Sequence, residues 1–222
     1  MLMASGETGY LTLLGSGLVP NVPRVSLDTW AETLDMCDQL LADPQGRTTI
    51  VLDALGGFER QCHQHVCTRD FRGVWGDHGF NSYQKGYEIS VGEWLKLLAK
   101  LDAIRHAHGC TIIVLSHTIV RQFKNPLGDD FDRYIADCHQ KTWGVTHKWA
   151  DAVLFGTFYT VVETPTGGRG KGVGGTQRVL YTERRDAYDA KCRYKMPETI
   201  TIPNDPARAW PAIWSAISGK TA

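Results

Sequence analysis

Apolar positions recur along this chain at two spacings, and the exchange between them lays out its elements. From Ser26 to Leu41, Leu27, Trp30, Ala31, Leu34 and Leu41 fall on one helical stripe, with Ser26 or Asp28 as the cap. Thr48 to Leu55, TTIVLDAL, is the β-branched run of a strand buried on both faces, and it ends in an aspartate. GFERQCHQHVCTR predicts a helix, and the Gly-, Trp- and Tyr-rich stretch from Asp70 to Tyr87 predicts an ordered loop. SVGEWLKLLAKLDAIRHAHG opens with a capping box, Ser90 and Glu93, carries Trp94, Leu95, Leu98 and Leu101 at helical spacing, and closes at Gly109. CTIIVLSH, Cys110 to His117, is a second apolar strand. A strand stub, Leu2 to Ala4, runs into a glycine-flanked glutamate, and further strands begin at Ala152 (AVLFGTFYTVVE) and Thr176 (TQRVLYTE). Strands alternating with helices predict an α/β fold built on an open, mostly parallel sheet flanked by helices. Ligands of such sheets sit beyond the carboxyl ends of the strands. One core is expected over residues 1–205, with a C-terminal helix and frayed tail over 206–222.

Composition narrows the partners. The 24 basic and 24 acidic residues of this 222-residue chain cancel, so any nucleic-acid contact must come from a local patch. Six cysteines, with no signal peptide and no run long enough to span a membrane, indicate free thiols, a cytoplasmic setting and no membrane partner.

The strand ends hold the candidate chemistry. Asp53 closes TIVLD, where a carboxylate can hold Mg²⁺ directly or through water; its alternative role is to cap the following turn. Ala54 follows it, so a water-activating carboxylate has to come from another strand end, and Glu7 is available. Ser116 and His117 end the neighbouring strand within reach of a phosphate or an attacking water. Lys191 and Arg193 lie two apart, on one side of an extended segment, as a phosphate-reaching pair or as a solvated basic edge. Cys62, His63, His65 and Cys67 invite a zinc reading, but no second ligand pair follows at a zinc spacing, and a helix separates Cys62 from Cys67. Arg121, Lys124, Arg169 and Lys171, with Tyr83, Tyr87 and Phe123 for stacking, are the candidate nucleic-acid contacts. Two stretches imitate a phosphate-binding loop. Gly219-Lys220-Thr221 supplies its last letters, but Trp214 stands at the first glycine position, behind a helical run. Gly167 to Gly175 is glycine-rich and basic without the spacing, and predicts a flexible loop between two strands.

Together these pieces resemble the RecA-like P-loop ATPases of bacteriophages, the AAA or nucleotide-binding proteins that include single-strand-annealing ATPases. TIVLDAL looks like the Walker B strand, TIIVLSH like the sensor strand, NPLGDDFDRY like the loop after it, KWADAVLF like the next core strand, and AKCR like a Lys-x-Arg finger. The resemblance runs from about Ala4 to Thr201. It implies ATP and Mg²⁺ as cofactors, a recombination or annealing role on single-stranded DNA, a ring or filament of identical subunits, and the host bacterial cytoplasm. It implies that Asp53 organises Mg²⁺, Glu7 orients water, Ser116 and His117 sense the terminal phosphate, and Lys191 and Arg193 reach across a subunit interface. The Walker A unit of the family, a strand, a glycine-rich loop and a helix, has no counterpart here. A truncated ATPase, which is the expectation, and a remnant that kept the fold as a DNA-binding or assembly module both fit that departure.

Overall fold

The structure, a computed structural model, describes residues 1–163 and 171–219. Contacts group the chain into two units, Met1–Ile119 with Ala136–Trp149, and Val120–Ile135 with Ala150–Ala222.

The first unit is a parallel sheet with helices packed on it. Its strands β1 (Leu2–Ala4), β2 (Val25–Leu27), β3 (Thr49–Asp53) and β4 (Thr111–Val114) lie in the order β2-β1-β3-β4. The stub Leu2–Ala4 is fully buried because it is an interior strand, with Leu2 opposite Val25 on one side and Leu52 on the other. Alternation puts Leu2, Ala4, Ile50 and Leu52 on one core. Against them pack α2 (Trp30–Ala42), α3 (Leu55–Phe71) and α4 (Lys85–His108) through Trp30, Leu40, Phe58, Leu97 and Leu101. Burying a side chain such as Phe58 stabilises by about 1.5–3 kcal/mol relative to leaving it in water. Trp30 stacks on Trp94 with centroids 5.7 Å apart, and the Trp94 indole N–H donates to Thr146 Oγ1 (2.8 Å), drawing α5 (Gln140–Trp149) onto the same core. The short α1 (Gly9–Gly15) buries none of its residues.

Both predicted helix caps need correction. Val25–Leu27 is consumed by β2, so α2 is capped by Thr29, whose side chain accepts from the Glu32 N–H while Glu32 bonds back to the Thr29 N–H (both 3.2 Å). The α4 helix begins at Lys85, ahead of the expected Ser90. Ser90 Oγ donates back to Gly86 O (2.8 Å), and Glu93 is taken by Arg69 of α3 and by Lys96. Burial alone would raise the Glu93 carboxyl, but those hydrogen bonds outweigh it and hold the group at about 2. Gly86 is required in the first turn because a Cβ there would stand 2.4 Å from the Phe80 ring.

The second unit holds smaller sheets. β5 (Thr118–Phe123) pairs β6 (Phe131–Ala136), and β7 (Ala152–Val153) pairs β10 (Lys191–Cys192). A sheet of order β11-β9-β8 combines β8 (Phe155–Glu163), β9 (Lys171–Tyr181) and β11 (Thr199–Ile202). The pairs β7–β10, β8–β9 and β9–β11 are antiparallel. The strands expected at Ala152 and Thr176 to extend the parallel sheet instead pair with each other, Phe155 opposite Tyr181 and Thr157 opposite Val179. Their aromatics are satisfied locally, Tyr188 stacking on Phe155 and on Tyr181 with centroids 4.7 Å apart in each case. Of the glycine-rich stretch expected as a loop, Lys171–Gly175 belongs to β9 and residues 167–170 lie outside the described residues. Helix α6 (Pro206–Ser218) is capped by Asp205, whose carboxylate accepts from the Ala207 N–H. Gly219 ends it in the left-handed conformation (φ 66°), a helix stop, and Lys220 and Thr221 lie outside the described residues.

Candidate functional site

Three parallel strands deliver polar residues at their carboxyl ends. The register sets Met3 opposite Asp53, and Ser5 and Gly6 (φ 91°) then turn the chain so that Glu7 N–H donates to Ala4 O (3.1 Å). Leu55 N–H donates to Leu115 O (2.8 Å), fixing the end of β3 against the segment that follows β4. His117 Nε2 consequently lies 3.6 Å from Glu7 Oε2. The imidazole is 72% exposed against 21% for the glutamate, so the pair is screened and contributes at most about 1 kcal/mol. Burial, and then the Glu7 charge, push the Asp53 carboxyl above its ordinary value, while His117 pulls the other way. Ser116 Oγ donates to His117 O (2.9 Å), and the same carbonyl accepts from Asp137 N–H (2.9 Å). The peptide joining Asp53 to Ala54 is cis.

Sequence reasoning passed over Gly56, Gly57 and Glu59, which position the site without lining its strand ends. A Cβ on Gly57 would lie 2.4 Å from the Ala4 methyl, and one on Gly56 would lie 2.8 Å from Asp137 O. Glycine at both positions lets the first turn of α3 close onto β1 and onto the turn that holds His117. Glu59, buried, accepts the His139 N–H at 2.9 and 3.0 Å and so anchors the start of α5 to α3. The signal available for this was the Gly-Gly pair that begins three residues after the strand-end aspartate.

The donor set at the strand ends is two carboxylates, one of which raises the other. That fits Mg²⁺, which takes one or two protein carboxylates and completes its shell with water and phosphate oxygens. Among the described residues no group of three or more His, Cys, Asp or Glu forms a metal cage. Cys62, His63 and Cys67 are buried in α3, and all six cysteines are free thiols. His63 sits instead among Phe80, Tyr87 and His139, at ring centroid distances of 5.4, 5.2 and 6.4 Å.

The remaining basic candidates belong to the second unit. Lys191 Nζ donates to Ala150 O (2.7 Å), and Arg193 pairs with Asp151 (2.8 Å). Lys124 is bonded to Asp130 across the β5–β6 turn, and Arg121 is exposed on β5. Arg169 and the side chain of Lys171 lie outside the described residues.

Compared with known proteins, residues 14–194 match the profile of a family described as an AAA domain. No curated protein and no solved structure matches the chain. No helix among the described residues is long and apolar enough to cross a membrane.

Proposed function

Because this chain belongs to the AAA domain family and so carries a nucleotide-binding, ATPase-type domain, we propose that Glu7, Asp53, Ser116 and His117 form its hydrolytic centre. The observation that carries the reading is the convergence of Glu7, Asp53 and His117 at the carboxyl ends of neighbouring parallel strands. Bound Mg²⁺ would neutralise charge on the phosphates, with Asp53 as its protein ligand. Glu7 takes a proton from water as the water oxygen bonds to the γ-phosphorus and the bond to the β-phosphate oxygen breaks. His117, facing Glu7, holds that carboxylate in place and reaches the terminal phosphate, with the Ser116 hydroxyl beside it. Lys191 and Arg193 serve a neighbouring subunit's phosphate in a ring or filament, which requires Arg193 to leave Asp151.

The polynucleotide acted on is single-stranded DNA in this proposal, a reading supported by the resemblance to phage annealing ATPases. No G-x-x-x-x-G-K-[ST] occurs in these 222 residues, so nucleotide affinity of the chain by itself is weak. That same observation favours a second reading, a non-hydrolysing DNA-binding or assembly module on the AAA scaffold. Turnover of Mg·ATP with single-stranded DNA, compared between the wild type, Asp53→Ala and Glu7→Gln, separates the two. Loss of turnover in both variants supports the hydrolytic reading. Equal turnover in all three refutes it, and salt-sensitive DNA binding indifferent to nucleotide establishes the module instead.

A further inference from the structure

Beside Glu7 the first unit opens a pocket of about 560 Å³ beyond the carboxyl ends of β1 and β2. One wall is the α3 face that carries Arg60, Gln64 and Thr68 at successive turns; the other holds Ser5, Asp28 and Thr29, with Gly57 between them. Gly57 shapes the mouth: the position its Cβ would take lies 3.7 Å from an Arg60 guanidinium nitrogen and 3.7 Å from Glu7 Oε1. The second arginine of the lining, Arg69, is spent on Glu93 and Asp70. Gln61 is spent on Leu27 O and Thr33 Oγ1. Among the described residues the Arg60 guanidinium makes no hydrogen bond or ion pair, and its charge acts at a distance on the Glu59 carboxyl, which it pulls down.

We propose that this pocket binds hydrogen phosphate, with Arg60 gripping two of its oxygens and the Asp28 carboxylate accepting the proton the anion still carries. The charge arrangement selects the ligand. A guanidinium fork matches a tetrahedral oxyanion, but a carboxylate on the facing wall repels any anion that has no O–H to donate. Phosphate near neutral pH retains a proton and satisfies both walls; sulfate, of the same size and shape, does not. The pocket adjoins Glu7, so the phosphate released by hydrolysis is the natural source. That assignment of source rests on the hydrolytic reading, whereas the binding chemistry does not.

Calorimetric titration of the full chain near neutral pH with inorganic phosphate, and separately with sulfate, tests the site. Phosphate binding with sulfate rejected is expected, and Arg60→Gln weakens phosphate by about tenfold or more, as loss of a charge-assisted pair should. Asp28→Asn, which turns the acceptor into a donor, admits sulfate. Equal affinity for the two anions in the wild type, phosphate affinity indifferent to Arg60, or no heat with phosphate up to about 10 mM, a concentration at which even weak anion sites fill, overturns the proposal. A non-hydrolysable triphosphate that competes with phosphate assigns the site to the intact nucleotide's terminal group and overturns the product assignment. Phosphate binding that depends on Arg60 in a protein without turnover refutes the hydrolytic reading and leaves the site standing.

Discussion

Protonation of His63 should unfold the first unit by a predictable amount. The residue is 8% exposed, its ring packed against Phe80 and Tyr87, and burial followed by the His139 charge lowers its pKa from 6.5 to about 4. Glu59 Oε1 lies 3.8 Å from His63 Nε2, which by distance alone would suggest an ion pair and a raised value. Burial decides against it: the contact is too long for a hydrogen bond, and the Glu59 oxygens are already turned to the His139 N–H. With the folded pKa below the unfolded one, the unfolded chain binds the extra proton between the two values. Stability is therefore complete above about pH 6.5, and falls as the pH drops toward 4. The full difference is on the order of 3 kcal/mol, with about 2 kcal/mol already lost near pH 5. Urea unfolding followed by tryptophan fluorescence, which Trp30 and Trp94 report from the core, measures it in the wild type and in His63→Phe. Other carboxylates titrate alike in both proteins, so the wild type should lose about 2 kcal/mol more than the variant over that window. Identical acid losses, or a His63 ring resonance titrating near 6.5, would refute the reasoning.

Asp53→Asn is expected to trade function for stability. The raised carboxyl costs folding energy above its folded pKa, so the variant should melt higher near neutral pH, melt no differently below the ordinary carboxylate range, and hydrolyse no nucleotide. Scanning calorimetry at the two pH values checks this, and an unchanged neutral melting temperature counts against it. Thr29→Ala removes the cap of α2 and should cost about 1 kcal/mol by urea titration. Gly86→Ala forces a methyl into the Phe80 ring and should cost about 1–3 kcal/mol, more than helix propensity would return; a neutral result would show that the Phe80 loop yields easily.

Local signals in the sequence carried three of the four parallel strands, while Val25–Leu27 was absorbed into the helix that follows because Leu27 also fits its stripe. TIVLD and TIIVL are apolar enough to require burial, and Leu2–Ala4 was legible as a strand despite its length because a glycine-flanked turn follows it. What sequence could not reveal was pairing. Ala152 onward and Thr176 onward read as strands in either kind of sheet, and only their mutual register, Phe155 to Tyr181, excludes them from the parallel one. The helix starts slipped for a related reason: Ser90 and Glu93 have cap chemistry, but Arg69, distant in sequence, claims the glutamate. The second unit draws on two separate stretches of chain, which no composition shift marks. At the site, the strand-end residues were visible one by one. Gly57 was not, since its role depends on the position of Ala4 in another strand.

Residues 120–135 leave the first unit just after His117 and return just before Asp137, and the two are joined there by the Asp137 N–H on His117 O. With its ends clamped there, the exposed Lys124–Asp130 turn at the tip of the excursion can change length at little cost, since loop closure varies only slowly with length. Shortening that tip should therefore leave the peptide carrying His117 in place, because Arg133 and Tyr134 keep the rest of the excursion bonded to Tyr188 and Ala187.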